Sequence, residues 1–215
     1  MTFEDLSKAA AKRHLTIFAA SHPAPFADLP DGTRTLLMLG PHEPGFWATF
    51  TQSPEWKDGD GDAMDRWSTR VIGDLAGALG ATAVFPFGGP PFAPFIRWAT
   101  DSGWVQASPV SLLVHANAGL WVSFRGALAL PYHIDLPPPA PAPCSSCVEK
   151  PCLTACPVGA LGAAGYDVPA CKAFLATDRG ASCMSTGCQV RTACPVGQAH
   201  GRVASHSAYH MAHFI

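Results

Sequence analysis

The stretch CSSCVEKPCLTACPVGA, residues 144–160, carries four of the chain's eight cysteines, spaced C-x2-C-x4-C-x3-C-P. The other four lie further along the chain, at Cys171, Cys183, Cys188 and Cys194. The string ACPVG occurs twice, at 155–159 and at 193–197, so both groups include the same Cys-Pro sequence. This internal repeat indicates two related ligand sets within one cysteine-rich module.

Eight cysteine thiolates are enough for two complete four-ligand sites. In bacterial two-cluster ferredoxins the run is C-x2-C-x2-C-x3-C-P, and its fourth cysteine ligates the neighbouring cluster. The present run differs from that spacing by two extra residues within Val148–Pro151, which can bulge from a loop without moving its ends. We therefore predict two [4Fe–4S] clusters. The predicted ligands are Cys144, Cys147, Cys152 and Cys194 for cluster 1, and Cys156, Cys171, Cys183 and Cys188 for cluster 2.

Zinc is the alternative occupant, because it also accepts four thiolates. Zinc sites favour two short C-x2–4-C knuckles about fifteen residues apart. The duplicated Cys-Pro ending favours iron–sulfur ligation instead. Disulfides are less expected, because the N-terminal MTFEDLSKAAAKRH contains acids and lacks the apolar region of a signal peptide. We expect a cytoplasmic protein, whose thiols stay reduced.

The composition limits the classes of partner. The net charge is −2 and only 14% of the 215 residues are charged, so no basic surface for nucleic acid is expected. No apolar run approaches the ~20 residues needed to cross a bilayer, so we expect no membrane segment. Apolar residues make up 48% of the chain, enough for a sizeable core. The oligomeric state is unknown from the sequence.

A proline-rich segment separates two parts of the chain. Residues 136–143, LPPPAPAP, favour extended polyproline geometry and are interpreted as a linker. We place an N-terminal domain at 1–135, a ferredoxin-like module at 144–197, and a C-terminal helix that docks on the core at 198–215. Such an arrangement is an α+β protein, with an α/β N-terminal domain and a small dicluster module.

Hydrophobic periodicity predicts the elements of the N-terminal domain. Helices are expected over 3–14 and 62–80, where Trp67, Val71, Leu75 and Leu79 recur every four residues. Short apolar runs predict strands at 15–20, 35–40 and 81–85. Residues 85–95 are too rich in proline and glycine for a regular element, and a short helix follows. Two further strands, within 110–116 and 120–130, are predicted to be joined by a turn at 117–119.

The cysteine pattern resembles the iron–sulfur module of epoxyqueuosine reductase and of the related corrinoid reductive dehalogenases. The resemblance is carried by CSSC…CLTACPVGAL, a lone cysteine, and GCQVRTACP. More loosely, TLLMLGP and SPVSLLVHANAGLWVSFRGALAL are similar to strands of the domain that precedes the clusters in that family. The resemblance implies a nitroreductase-like, cobalamin-binding N-terminal domain similar to that of cobalamin-processing chaperones.

By that resemblance, five residues are candidates for contact with a corrinoid. Phe87, Gly88 and Gly89 would form an apolar floor under the macrocycle, Arg97 would bind a polar substituent, and His115 would reach the cobalt face. The alternatives are loop packing, a surface arginine and a turn histidine bonded to backbone. The family's acidic proton donor has no counterpart, because residues 82–98 contain neither Asp nor Glu.

Three functions follow as hypotheses. The first is an electron-transfer protein whose two clusters pass single electrons, received from a donor such as a flavodoxin or ferredoxin. The second is a cobalamin-dependent reductase in which the clusters supply electrons to cobalt. The third is a purely structural role for the metal. Whether the protein is an enzyme, and on what substrate, is left open by the sequence.

Overall fold

The computed structural model describes residues 1–23 and 28–215 and contains both helices and strands. The chain forms two units, each with its own set of internal contacts. The first comprises Met1–Trp104 and Ser123–Pro139, and the second comprises Val105–Val122 and Ala140–Ile215. None of the helices in the described part of the chain is long and apolar enough to cross a membrane.

The first unit contains five helices and four strands within the described residues. They are α1 (Phe3–Ala11), β1 (Leu15–Ser21), β2 (Thr35–Pro41), α2 (Gly45–Phe50), α3 (Pro54–Lys57), α4 (Ala63–Leu79), β3 (Thr82–Val84), α5 (Phe95–Asp101) and β6 (Gly126–Leu130). The second unit contains short elements: β4 (Val105–Ala107), β5 (Leu113–His115), α6 (Pro143–Ser146), β7 (Leu161–Gly162), β8 (Gly165–Tyr166), α7 (Val168–Leu175), α8 (Ala181–Thr186), α9 (Gln189–Thr192), α10 (Pro195–Gln198) and α11 (Ala204–Ala212). Two 3₁₀ turns lie at Pro151–Leu153 and Asp178–Gly180.

An antiparallel sheet of order β1-β2-β6-β3 is the centre of the first unit. The strand expected at 35–40 is present as β2, and every one of its residues is buried, as is typical of a strand with a continuous apolar run. The capping box of Thr2 and Asp5 begins α1, which packs against β1. The predicted helix over 62–80 is present as α4, which packs against β3 and β6 and ends at Gly80 with φ of 62°.

Gly40 of β2 lies where two parts of the chain approach closely. A Cβ atom at this position would be 2.0 Å from the carbonyl oxygen of Ser123 and 2.6 Å from the ring of Phe18. The pairing of β1 with β2 shifts register between Ile17 and Ala19, at Phe18. Only glycine lacks the side chain that would clash here, so Gly40 fixes the spacing between β2 and its neighbours.

The second unit is built from short helices and two two-stranded sheets, β4-β5 and β7-β8. Helix α11 packs against α8, and Met211 of this helix and Phe214 just after it pack against the apolar cluster formed by Phe174, Leu175 and Cys183. The C-terminal segment is therefore helical and packs within this unit.

Two sequence-based expectations differ from the structure. Residues 110–116 and 120–130 do not pair as a hairpin: β5 pairs with β4, whereas β6 pairs with β2 and β3. The reason is that the turn after β5 closes only one bridge, between His115 and Gly119, and the chain then enters the sheet of the first unit. Consequently, the N-terminal part does not form one uninterrupted unit over 1–135, because Val105–Val122 groups with the cysteine-rich part.

Candidate metal centres

The eight cysteines of the second unit border two cavities, four cysteines to each. The first cavity, of about 400 Å³, is bordered by Cys144, Cys147, Cys152 and Cys194. The second cavity, of about 210 Å³, is bordered by Cys156, Cys171, Cys183 and Cys188. Cys194, from the second Cys-Pro sequence, thus lies with three cysteines of the first group. Cys156, from the first Cys-Pro sequence, lies with three cysteines of the second group. The two groups therefore exchange one cysteine each. All eight cysteines are free thiols.

The thiols within each set influence one another electrostatically. Burial raises the pKa of Cys144 and Cys152, and the thiols of Cys147 and Cys194 raise both further. Burial likewise raises the pKa of Cys183, to which Cys188, Cys171 and Cys156 add. These thiols therefore hold their protons more firmly than free cysteine, and binding of a metal group must release those protons.

Backbone amides face several of the sulfurs. The amide of Ala160 donates to Cys156 Sγ at 3.2 Å, and the amide of Gln189 lowers the pKa of Cys183 by hydrogen bonding. Amides at Cys152 and Leu153 act in the same direction on Cys152. Hydrogen bonds of this kind stabilise a thiolate and tune the potential of a thiolate-ligated cluster.

Among the residues that the structure describes, no three His, Cys, Asp or Glu side chains form a group that could hold a single metal ion. The cysteines line the walls of the two cavities instead. Each cavity is several times the ~30 Å³ that a water molecule occupies in the liquid, so each has room for a group of several atoms.

The turn that follows β5 forms part of the support of the first cavity. A Cβ atom at Gly119, where φ is 54°, would be 2.4 Å from the amide nitrogen of Gly197 and 2.9 Å from Cys194 Sγ. Val114 and Leu120 line the same cavity. Residues 105–122 contain no cysteine, so the ligand pattern provides no signal that they belong to this site.

His115 is buried at the start of this turn. Its Nδ1 accepts hydrogen bonds from the amides of Asn117, at 3.1 Å, and Ala118, at 3.3 Å. Burial lowers the pKa of His115 to about 4, with a further contribution from His200. The ring is therefore neutral at pH 7, and its established contacts are those of a histidine that closes a turn.

The first prediction concerns the pH dependence of this histidine. The unfolded chain binds the His115 proton at about pH 6.5, whereas the folded chain binds it at about pH 4, so stability is lost as pH falls through this window. Between neutral pH and about pH 5 this loss is about 2 kcal/mol. His115→Asn, which can retain the acceptor but does not titrate there, should show a flatter pH dependence in urea unfolding. If the free energy of unfolding depends on pH equally in the two proteins, this prediction is contradicted.

The other candidate corrinoid residues belong to the first unit, unlike His115. Phe87 and Gly88 line a groove with charged side chains, including those of Asp62, Arg66 and Arg70. Arg97 forms an ion pair with Asp28. The cis peptide bonds after Gly89 and Pro90 lie in the same loop. The structure thus gives local partners for these residues and divides the five candidates between two units.

Arg191 and Tyr166 border the second cavity. Arg191 lies between Cys188 and Cys194 in the sequence QVRTA, so the sequence itself indicates that it is close to the cysteine ligands. Its hydrogen bond to the carbonyl oxygen of Leu120, from the other segment of the unit, has no sequence signature.

Comparison with known proteins adds no assignment: no family model, no curated protein and no solved structure matches this chain.

Proposed function

We propose that the second unit holds two [4Fe–4S] clusters and that the protein transfers single electrons. The observation that carries the proposal is the division of eight cysteines into two sets of four around separate cavities. Each set includes the Cys-Pro cysteine of the other sequence group, which is the exchange of ligands known from two-cluster ferredoxins. When bound, each cluster would accept and release one electron.

The donor set suits an iron–sulfur cluster chemically. Thiolates are soft ligands that select iron–sulfur clusters, Cu(I) and zinc. The walls are mostly apolar: Leu112, Leu161 and Val190 line the second cavity, and Val114, Leu120 and Val196 line the first. Apolar walls limit the access of water, and amides that face the sulfurs stabilise the thiolate form.

One apolar cluster connects the two sites. Its buried members include Cys152 and Cys194 of the first set, and Cys156 and Cys188 of the second set pack against it. Val190 is a buried member of the same cluster. Two clusters whose ligands pack in the same small group of side chains would be close enough to exchange electrons directly. A donor such as a flavodoxin or a ferredoxin would then need to reach only one of them.

The proposal predicts the metal content of the protein. Anaerobically purified protein should contain about eight irons and about eight acid-labile sulfides per chain, and should absorb broadly near 400 nm. Dithionite should bleach this absorbance, and an oxidant added under anaerobic conditions should restore it. If the protein contains all eight irons but its absorbance is not bleached at any accessible potential, the clusters would instead have a structural role.

Two controls separate the alternatives. Metal analysis of protein expressed with both iron and zinc in excess decides between the two metals, and stoichiometric zinc without sulfide would overturn the proposal. Reconstitution of the unfolded, reduced chain with iron and sulfide tests whether the chain itself selects the cluster. Recovery of the visible absorbance after refolding is expected, because the thiolates supply binding energy only in the folded arrangement.

A further inference from the structure

Arg191 carries a positive charge at the wall of the second cavity. It lies on α9, and its Nη1 donates a hydrogen bond to the carbonyl oxygen of Leu120. Its side chain is partly buried; desolvation lowers the pKa of Arg191 while the charges of Cys188 and Tyr166 oppose the effect. A guanidinium nevertheless keeps its proton in proteins, so a full positive charge is held beside the second cavity.

A cation that is partly removed from water is stabilised by a nearby anion. Among the described residues, none of the ion pairs joins Arg191 to a carboxylate. The acidic groups that act on it are Cys188, one of the four cysteines of the second cavity, and Tyr166. The compensating negative charge is therefore to be sought in the cavity itself, and a thiolate-ligated cluster would supply it.

Tyr166 is a second polar group of the same cavity. Its ring stacks on Phe214 with a centroid distance of 6.0 Å. Its hydroxyl is within hydrogen-bonding reach of the Cys171 side chain, and a phenol hydroxyl can donate to a sulfur ligand.

The first cavity has a different kind of cation. Lys150 lines it together with Glu149, in the segment that separates Cys147 from Cys152. Lys150 and Arg191 are both partly buried, but the ammonium group of Lys150 lies on a flexible stem and keeps much of its hydration, whereas a guanidinium is more weakly hydrated. The charge of Lys150 is therefore screened by water and salt to a greater degree than that of Arg191.

We propose that Arg191 is the built-in counter-cation of the second site and that, with Tyr166, it selectively raises the reduction potential of the cluster held there. The proposal rests on the proposed function, since it requires a cluster in the second cavity. Uptake of one electron from a reductant such as dithionite adds one negative charge to the cluster. A fixed positive charge and a sulfur-directed donor favour that reduced state, most strongly where little water intervenes.

The test is a potentiometric titration of the anaerobic holoprotein, followed by electron paramagnetic resonance. Wild-type protein should show two reduction steps, and the step missing from Cys183→Ala is assigned to the second site. Arg191→Gln should move that step to lower potential and leave the other unchanged. Arg191→Lys should restore part of the shift, and Tyr166→Phe should move the same step in the same direction by a smaller amount. Lys150→Gln is the matched control and should leave the second-site step in place.

The possible results are distinct. A wild-type protein without iron would refute the proposed function itself. If iron is present but the second-site midpoint potential is unchanged in both Arg191→Gln and Tyr166→Phe, only the role of these two residues is refuted. Equal shifts of both reduction steps would also refute that role. If Arg191→Gln fails to load the second site while Arg191→Lys loads it, the counter-charge role is supported. If neither variant loads it, the Tyr166→Phe titration decides.

Discussion

Cys152→Ala and Cys194→Ala should leave the same cluster in the protein, although the two residues lie in different halves of the cysteine-rich sequence. Both side chains border the first cavity. Each variant should therefore lose about half of the iron, namely the four irons of one cubane, and both should retain the spectrum of the second site. By contrast, Cys156→Ala should retain the first-site spectrum, although Cys156 follows Cys152 by only one short turn.

These variants distinguish cysteine ligands that are grouped by the tertiary structure from ligands that are grouped by their position in the sequence. If ligands were grouped by sequence, Cys152→Ala and Cys156→Ala would give the same residual cluster, and Cys194→Ala would give the other. Iron and sulfide analysis with electron paramagnetic resonance of the reduced variants distinguishes the two patterns. Ser145→Ala is the control and should retain both clusters, because Ser145 is an exposed residue of the first run whose hydroxyl donates to the carbonyl oxygen of Ala142.

Gly40→Ala should destabilise the first unit by at least about 3 kcal/mol. The new methyl group would lie 2.0 Å from a backbone oxygen, that of Ser123, and backbone yields less readily than a side chain. The whole of β2 is buried, so the strand has no solvent side toward which it can shift. Because a domain's total stability is about 5–15 kcal/mol, the urea midpoint should fall steeply or the unit should fail to fold.

The matched control for this substitution lies in the same unit. A Cβ atom at Gly73, inside α4, would meet no atom within 4 Å. Gly73→Ala should stabilise the protein by about 0.5–1 kcal/mol, because alanine loses less conformational entropy than glycine in a helix. Similar midpoints for Gly40→Ala and wild-type protein would show that β1 and β2 can separate, which would contradict the close packing described here.

Local patterns were sufficient for several elements. The four-residue repeat of apolar side chains predicts α4, and the short apolar run at 35–40 predicts the strand β2. Both depend on periodicity within one segment. The two strands expected on either side of residues 117–119 belong to different sheets, because the partner of a strand depends on the rest of the fold: β5 pairs with β4, and β6 pairs with β2 and β3.

The sequence by itself determined the number of thiols, their two Cys-Pro endings and the spacing that predicts two four-cysteine sets. These follow from short-range order along the chain, which a sequence records directly. The occupant of the two cavities stays a prediction. Only the tertiary structure decided that residues 105–122 support the first cavity through Gly119, and that Arg191 lines the second cavity and is bonded to Leu120. Burial and charge compensation arise between segments distant in sequence, so no local pattern could have indicated them.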